Sequence, residues 1–262
     1  SSFVEAAGAR VRVRRTGDAK ADHLILHDLP GSSAIEEPLL RALPGPAMAP
    51  DLPGTGLSQA DGLDGGRLLE ILCAIADEHA SAGFTLVARG LSARLGIEIA
   101  RRVKGIGMLV LVRPLFVPEG EADFAARHLA VREPDDEGTH LTRLWYCARD
   151  SELYWPWYER KREHIRMGER RLDPAFLTSR VVAMAENMAG YRSLVQAVAQ
   201  LHRVGADPLA ANATILLDDD TIGNVMAREA DDLLADTACM LPIAHTLEAE
   251  IEQLRSLLEA KN

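Results

Sequence analysis

A chain of 262 residues, 47% hydrophobic and 26% charged, has the make-up of an ordinary soluble globular protein of one large or two small domains. Its formal net charge of −10 disfavours a nucleic-acid backbone as partner, and no apolar run approaches the roughly 20 residues needed to span a bilayer. Three scattered cysteines, Cys73, Cys147 and Cys239, fit neither a disulfide framework nor metal-ligand spacing, so the expectation is a cytoplasmic protein without metal or cofactor.

Phe3 to Arg15 turns around Gly8, and Arg10, Arg12 and Arg14 alternate with Val11 and Val13, predicting a hairpin of two edge strands. The apolar run His23 to His27, ended by Pro30-Gly31-Ser32-Ser33, predicts a buried strand turning into a serine-capped helix over 34–43. Ala47-Met48-Ala49 leads into the turn-rich Pro50 to Gly56. Helical spacing over 68–80 is followed by a strand over 84–88, a helix over 93–103 and a strand over 107–112.

From Pro118 to about Leu201 the alternation gives way to helical, aromatic-rich sequence that includes Phe124 and Trp145. It resumes with a strand over 213–217, a helix over 224–234, a strand over 237–241 and a helix over 247–260. Strands alternating with helices imply a mostly parallel, doubly wound α/β sheet. Residues 1–117 and 206–262 are expected to form the core, with 118–205 a helical cap over it.

On these residues the chain resembles the α/β-hydrolase superfamily, in the variety with a helical cap. Leu24-Ile25-Leu26-His27 before Pro30-Gly31 is similar to its His-Gly loop. Asp51-Leu52-Pro53-Gly54-Thr55-Gly56-Leu57-Ser58 is similar to its Asp-x-x-Gly-x-Gly-x-Ser loop, and Phe84 to Ala93 takes the place of the strand and nucleophile elbow. The resemblance implies Asp220 as acid, with Asp218 or Asp219 as alternatives, and His245 as base. The backbone N–H groups of Leu29 and Leu91 are implied as an oxyanion hole.

Two positions depart from that pattern. The elbow reads Ala88-Arg89-Gly90-Leu91-Ser92, with Gly90 where the nucleophilic serine belongs, and Asp28 stands where the His-Gly pair has glycine. Glycine supplies no attacking oxygen, and a carboxylate near an oxyanion hole opposes developing negative charge.

The leading expectation is a hydrolase or lyase-like enzyme without a covalent intermediate. In it, His245 and Asp220 act on a water or a substrate proton of a small, largely apolar molecule. The alternatives are an inactive receptor and a serine esterase in a register shifted by two, with Ser92 as nucleophile. Asp28, Arg89, Ser92, His140, Trp145, Arg149 and Trp157 are the candidate pocket residues. The partner class is a small molecule, neither nucleic acid nor membrane, and oligomeric state is left open.

Overall fold

The computed structural model describes residues 1–59, 61–116, 133–166, 170–201, 212–218, 221–234 and 238–259. Eight strands form one sheet in the order β1-β2-β4-β3-β5-β6-β7-β8. They are β1 (Ser2–Ala6), β2 (Ala9–Thr16), β3 (Ala21–Leu26), β4 (Ala47–Pro50), β5 (Ala80–Arg89), β6 (Ile106–Val112), β7 (Asn212–Leu217) and β8 (Ala238–Pro242). β1 and β2 run antiparallel, while β4, β3, β5, β6, β7 and β8 are parallel to one another.

The parallel strands are apolar on both faces, as strands sandwiched by helices must be. Leu24 to Leu26, Leu86 to Ala88 and Leu109 to Val112 are all buried. Helices α1 (Glu37–Ala42), α2 (Gly65–His79), α3 (Ala93–Arg102), α7 (Thr221–Leu234) and α8 (Leu247–Glu259) connect or follow the strands. Between β6 and β7 the described helices are α4 (Thr139–Leu153), α5 (Pro174–Ala185) and α6 (Met188–Ala199). Residues 118–132 and 202–205 of the expected cap, Phe124 among them, lie outside the described residues. No described helix is long and apolar enough to cross a membrane.

Two expectations are corrected. Of the hairpin's two strands β1 alone lies at an edge: β2 also pairs with β4, Val13 opposite Pro50, so the hairpin is built into the sheet. The helix expected over 34–43 is split into a 3-10 turn (Ser33–Glu36) and α1. Pro38 has no N–H to give the Ala34 carbonyl, which instead accepts from Glu37, and the first turn tightens accordingly.

Strand register fixes what comes next. Leu26 lies opposite Ala88, Ala88 opposite Leu111, Leu111 opposite Ile215 and Ile215 opposite Met240. Asp28, Gly90, Arg113, Asp218 and His245 therefore all follow the carboxyl ends of five neighbouring parallel strands. That is where an open α/β sheet binds its ligands.

Candidate functional site

β5 ends at Arg89 and turns through Gly90 into a 3-10 turn (Gly90–Ser92) and then α3. Gly90 has φ +53°, in the left-handed region that glycine enters without steric cost. A Cβ built there would overlap Asp28 Oδ1 outright and stand 2.7 Å from Oδ2. The volume of an elbow side chain is thus already filled by a carboxylate that arrives from β3.

That carboxylate is held by the two expected oxyanion donors. Asp28 Oδ1 accepts hydrogen bonds from Leu29 N at 2.7 Å and from Leu91 N at 3.0 Å. The loop carrying it is fixed from beneath by His27, whose Nδ1 lies 2.9 Å from the Asp28 carbonyl while its Nε2 accepts from Leu52 N at 3.1 Å. Those bonds assign the Nδ1–H tautomer. Burial pushes the pKa of His27 below its ordinary value, so it packs as a neutral ring.

Above Asp28 lies a cavity of about 90 Å³ whose wall is dominated by charge. Six guanidinium groups line it, from Arg89, Arg113, Arg166, Arg170, Arg171 and Arg180, with the carboxylates of Asp28, Glu36, Glu152 and Glu250. Buried charges persist only when paired, and nearly all of these are. Arg89 bridges Glu36 (3.3 Å) and Glu250. Arg113 bridges Glu250, Asp218 (3.0 Å) and the Ala244 carbonyl (2.9 Å). Asp218 also faces Arg166 at 3.8 Å and Arg170 at 3.6 Å. Arg180, almost fully buried, pairs with Glu152 and approaches Asp28 Oδ2 at 3.6 Å.

Two carboxyl groups of the network are pushed in opposite directions. Burial lifts Glu36 to about 7 despite Arg89 beside it. For Glu250, burial pulls upward, but Arg89 and Arg113 outweigh it and hold the group below its ordinary value.

Of the residues expected from sequence, Asp28, Arg89, Gly90 and His245 line this cavity. His245 is exposed and makes no hydrogen bond or ion pair with the described residues; Asp219 and Asp220 lie outside them. Asp218, the fallback acid, is engaged by Arg113, Arg166 and Arg170.

Ser92, the nucleophile of the shifted register, is fully buried and donates its hydroxyl to the His27 carbonyl at 2.6 Å. It is therefore not at the tip of the turn, because the strand runs to Arg89 and places residue 90 there.

His140, Trp145, Arg149 and Trp157 do not line this cavity. His140 sits in the first turn of α4, its Nδ1 accepting from Asp135 N at 3.2 Å. Arg149 and Arg160 clamp the buried Asp150 at 2.7 and 2.6 Å. Trp157 is buried edge-on to Tyr158, and Trp145 packs against the core.

Glu36, Arg113, Arg171, Arg180 and Glu250 were not singled out from sequence. A signal existed for three of them. Arg180 shares the buried stripe of Phe176, Leu177, Ala183 and Met184, and Glu250 that of Leu254 and Leu258. Glu36 precedes buried Leu39 and Leu40 at the same spacing. A charge on the apolar stripe of a helix needs a buried partner.

No family model and no curated protein matches the chain. Solved structures do, at low identity. An epoxide hydrolase from Vigna radiata, VrEH1, is 15% identical, with 99% of this chain and 96% of that one covered and a TM-score of 0.70. An enol-lactonase from Burkholderia xenovorans LB400 is 16% identical, covering 99% and 98% at 0.66. The bottromycin epimerase BotH, solved in complex with bottromycin A2, is 16% identical, covering 99% and 98% at 0.67. The chain has the α/β-hydrolase fold.

Proposed function

We propose that this protein is a hydrolase-fold receptor that has given up acyl transfer and binds a small polar molecule in the charged cavity. One observation carries this reading: the Asp28 carboxylate occupies both oxyanion donors and the space of an elbow nucleophile. Acyl transfer needs an empty pair of N–H groups aimed at a developing oxyanion and an atom to attack with. Here the Asp28 carboxylate takes the first and glycine withholds the second.

The charged lining also replaces the largely apolar ligand expected from sequence with a polar one. An apolar molecule would strip water from ten charged groups and return no hydrogen bonds.

The second reading is an enzyme in which His245 acts as general base on a ligand proton, and it rests on His245 bordering the cavity. Purified protein is to be assayed with a fluorophosphonate probe and with short esters, lactones and epoxides. The receptor reading expects no labelling and no turnover above background. Turnover that disappears in His245→Ala or Asp28→Asn would overturn it in favour of the enzyme.

A further inference from the structure

Five of the six arginines around the cavity face a carboxylate of the wall or the adjoining Asp218; Arg171 does not. Its guanidinium lies over the Phe176 ring, 3.7 Å from the ring centre. It makes no ion pair with any described residue. Arg180 approaches the same ring, its guanidinium carbon 5.5 Å from the centre, so the two carbons are at most 9.2 Å apart. Arg180 is 2% exposed, yet its Nη2 has no hydrogen-bond acceptor, since Asp28 Oδ2 at 3.6 Å is beyond bonding length. A buried guanidinium N–H left unbonded costs free energy that an incoming acceptor would recover.

The charges set the valence of that acceptor. Among the described residues the network holds six guanidinium groups against five carboxylates, Asp28, Glu36, Glu152, Glu250 and the adjoining Asp218, which leaves one positive charge in excess when Glu36 is ionised. Arg171 is the guanidinium of the six that makes no ion pair with a described residue. Burial and the nearby Arg89 depress its pKa, and the more distant pull of Glu152, Glu250 and Glu36 offsets this only in part.

Resting on the receptor reading above, we infer that Arg171 and Arg180 form an anion subsite for the carboxylate of a small monocarboxylic acid. The about 90 Å³ of space admits such a head with a short apolar tail. The tail can lie along Ile35, Leu39, Val112, Leu247 and Ile251, which complete the wall. A planar carboxylate matches the fork of a guanidinium. A dianionic phosphate overshoots the single surplus charge.

The test is calorimetric titration of the full chain with sodium butyrate at pH 7.5 in HEPES without added salt. Inorganic phosphate and 1-butanol serve as comparison probes. Butyrate is expected to saturate, with phosphate weaker and butanol silent. Arg171→Gln should weaken butyrate about tenfold or more, the effect of losing one charge-assisted pair, and Arg171→Lys should restore part of it. Both variants should still unfold cooperatively, with melting temperature lowered by a few degrees at most, because Arg171 holds no wall carboxylate and gives up only its contact with the Phe176 ring; this keeps a binding loss distinct from a folding loss. No saturation by tens of millimolar butyrate, phosphate binding as tightly as butyrate, butanol matching butyrate, or an unchanged isotherm in Arg171→Gln would each overturn the subsite. Labelling by fluorophosphonate would instead sink the receptor reading and leave the butyrate isotherm where it is.

Discussion

Two loops of this protein are built in the same way and do different things. In each, a glycine in the left-handed region leaves room for a carboxylate: Gly56, φ +50°, for Asp51, and Gly90, φ +53°, for Asp28. Asp51 is fully buried, and its Oδ2 makes no hydrogen bond, facing Arg12 at 4.0 Å. Its Oδ1 accepts from Ser33 N at 2.9 Å, Ser33 Oγ at 2.6 Å and Arg14 at 3.4 Å, tying β2, β4 and the first 3-10 turn together. Asp28 is likewise bonded through one oxygen, but its other oxygen looks into the cavity toward Arg180. A carboxylate sealed inside the chain is structure; one that faces a cavity has a surface to offer.

That contrast can be broken by substitution. Asp51→Ala leaves the Ser33 N–H buried and unbonded and removes the counter-charge of Arg12 and Arg14, and should cost about 3–5 kcal/mol in urea denaturation. Asp28→Ala frees donors that face a cavity water can enter, so its cost should stay at about 1 kcal/mol. Equal losses would show that the two loops do the same work.

Gly90→Ser forces a side chain into the Asp28 carboxylate and should cost about 2–3 kcal/mol without creating an esterase. The double variant Gly90→Ser with Asp28→Gly removes the overlap and reopens both N–H groups. It should recover most of that stability and become slowly labelled by a fluorophosphonate. Labelling of the single variant would show that Asp28 yields its place easily.

A smaller, pH-dependent difference is expected at Glu36. Its folded pKa, about 7, lies above its ordinary value, so the folded state holds the proton more tightly. The stability so gained is present at low pH and lost as pH rises from about 4.5 through 7. The wild type should therefore fall behind Glu36→Gln by about 2 kcal/mol between pH 5 and pH 8, read from urea midpoints. His27, whose pKa is lowered, acts oppositely, removing stability as pH falls below its ordinary 6.5. It is common to both proteins and cancels in the difference. Smallest of all, Ser92→Ala loses one hydrogen bond to the His27 carbonyl and should cost about 1 kcal/mol, with no change in probe labelling.

The strand–helix alternation was legible because parallel strands and amphipathic helices impose periods on the sequence, and each later strand formed within a few residues of its expected place. The turn at Gly90 was legible, because β5 and α3 bracket it. What the sequence could not display was who fills the space glycine leaves. Asp28 reads as an unusual loop residue until the pairing of β3 with β5 brings it over Gly90. The arginine-rich wall was hidden for a related reason: its members come from segments far apart in the chain, and pairing across such separations leaves no local pattern. Only their placement on apolar helix stripes, as at Arg180 and Glu250, hinted that they turn inward.

Arg113 sits at φ +46°, a backbone state a non-glycine residue adopts only under constraint, and from there it grips the segments after β7 and β8 together with α8. Because Arg113 claims Asp218, the receptor proposed above would not gain hydrolysis from a serine alone. Asp28 would have to leave and Arg113 to loosen as well, and Arg113 ties Asp218, the Ala244 carbonyl and Glu250 into one knot. One residue thereby couples three segments, so no single substitution resets the cavity.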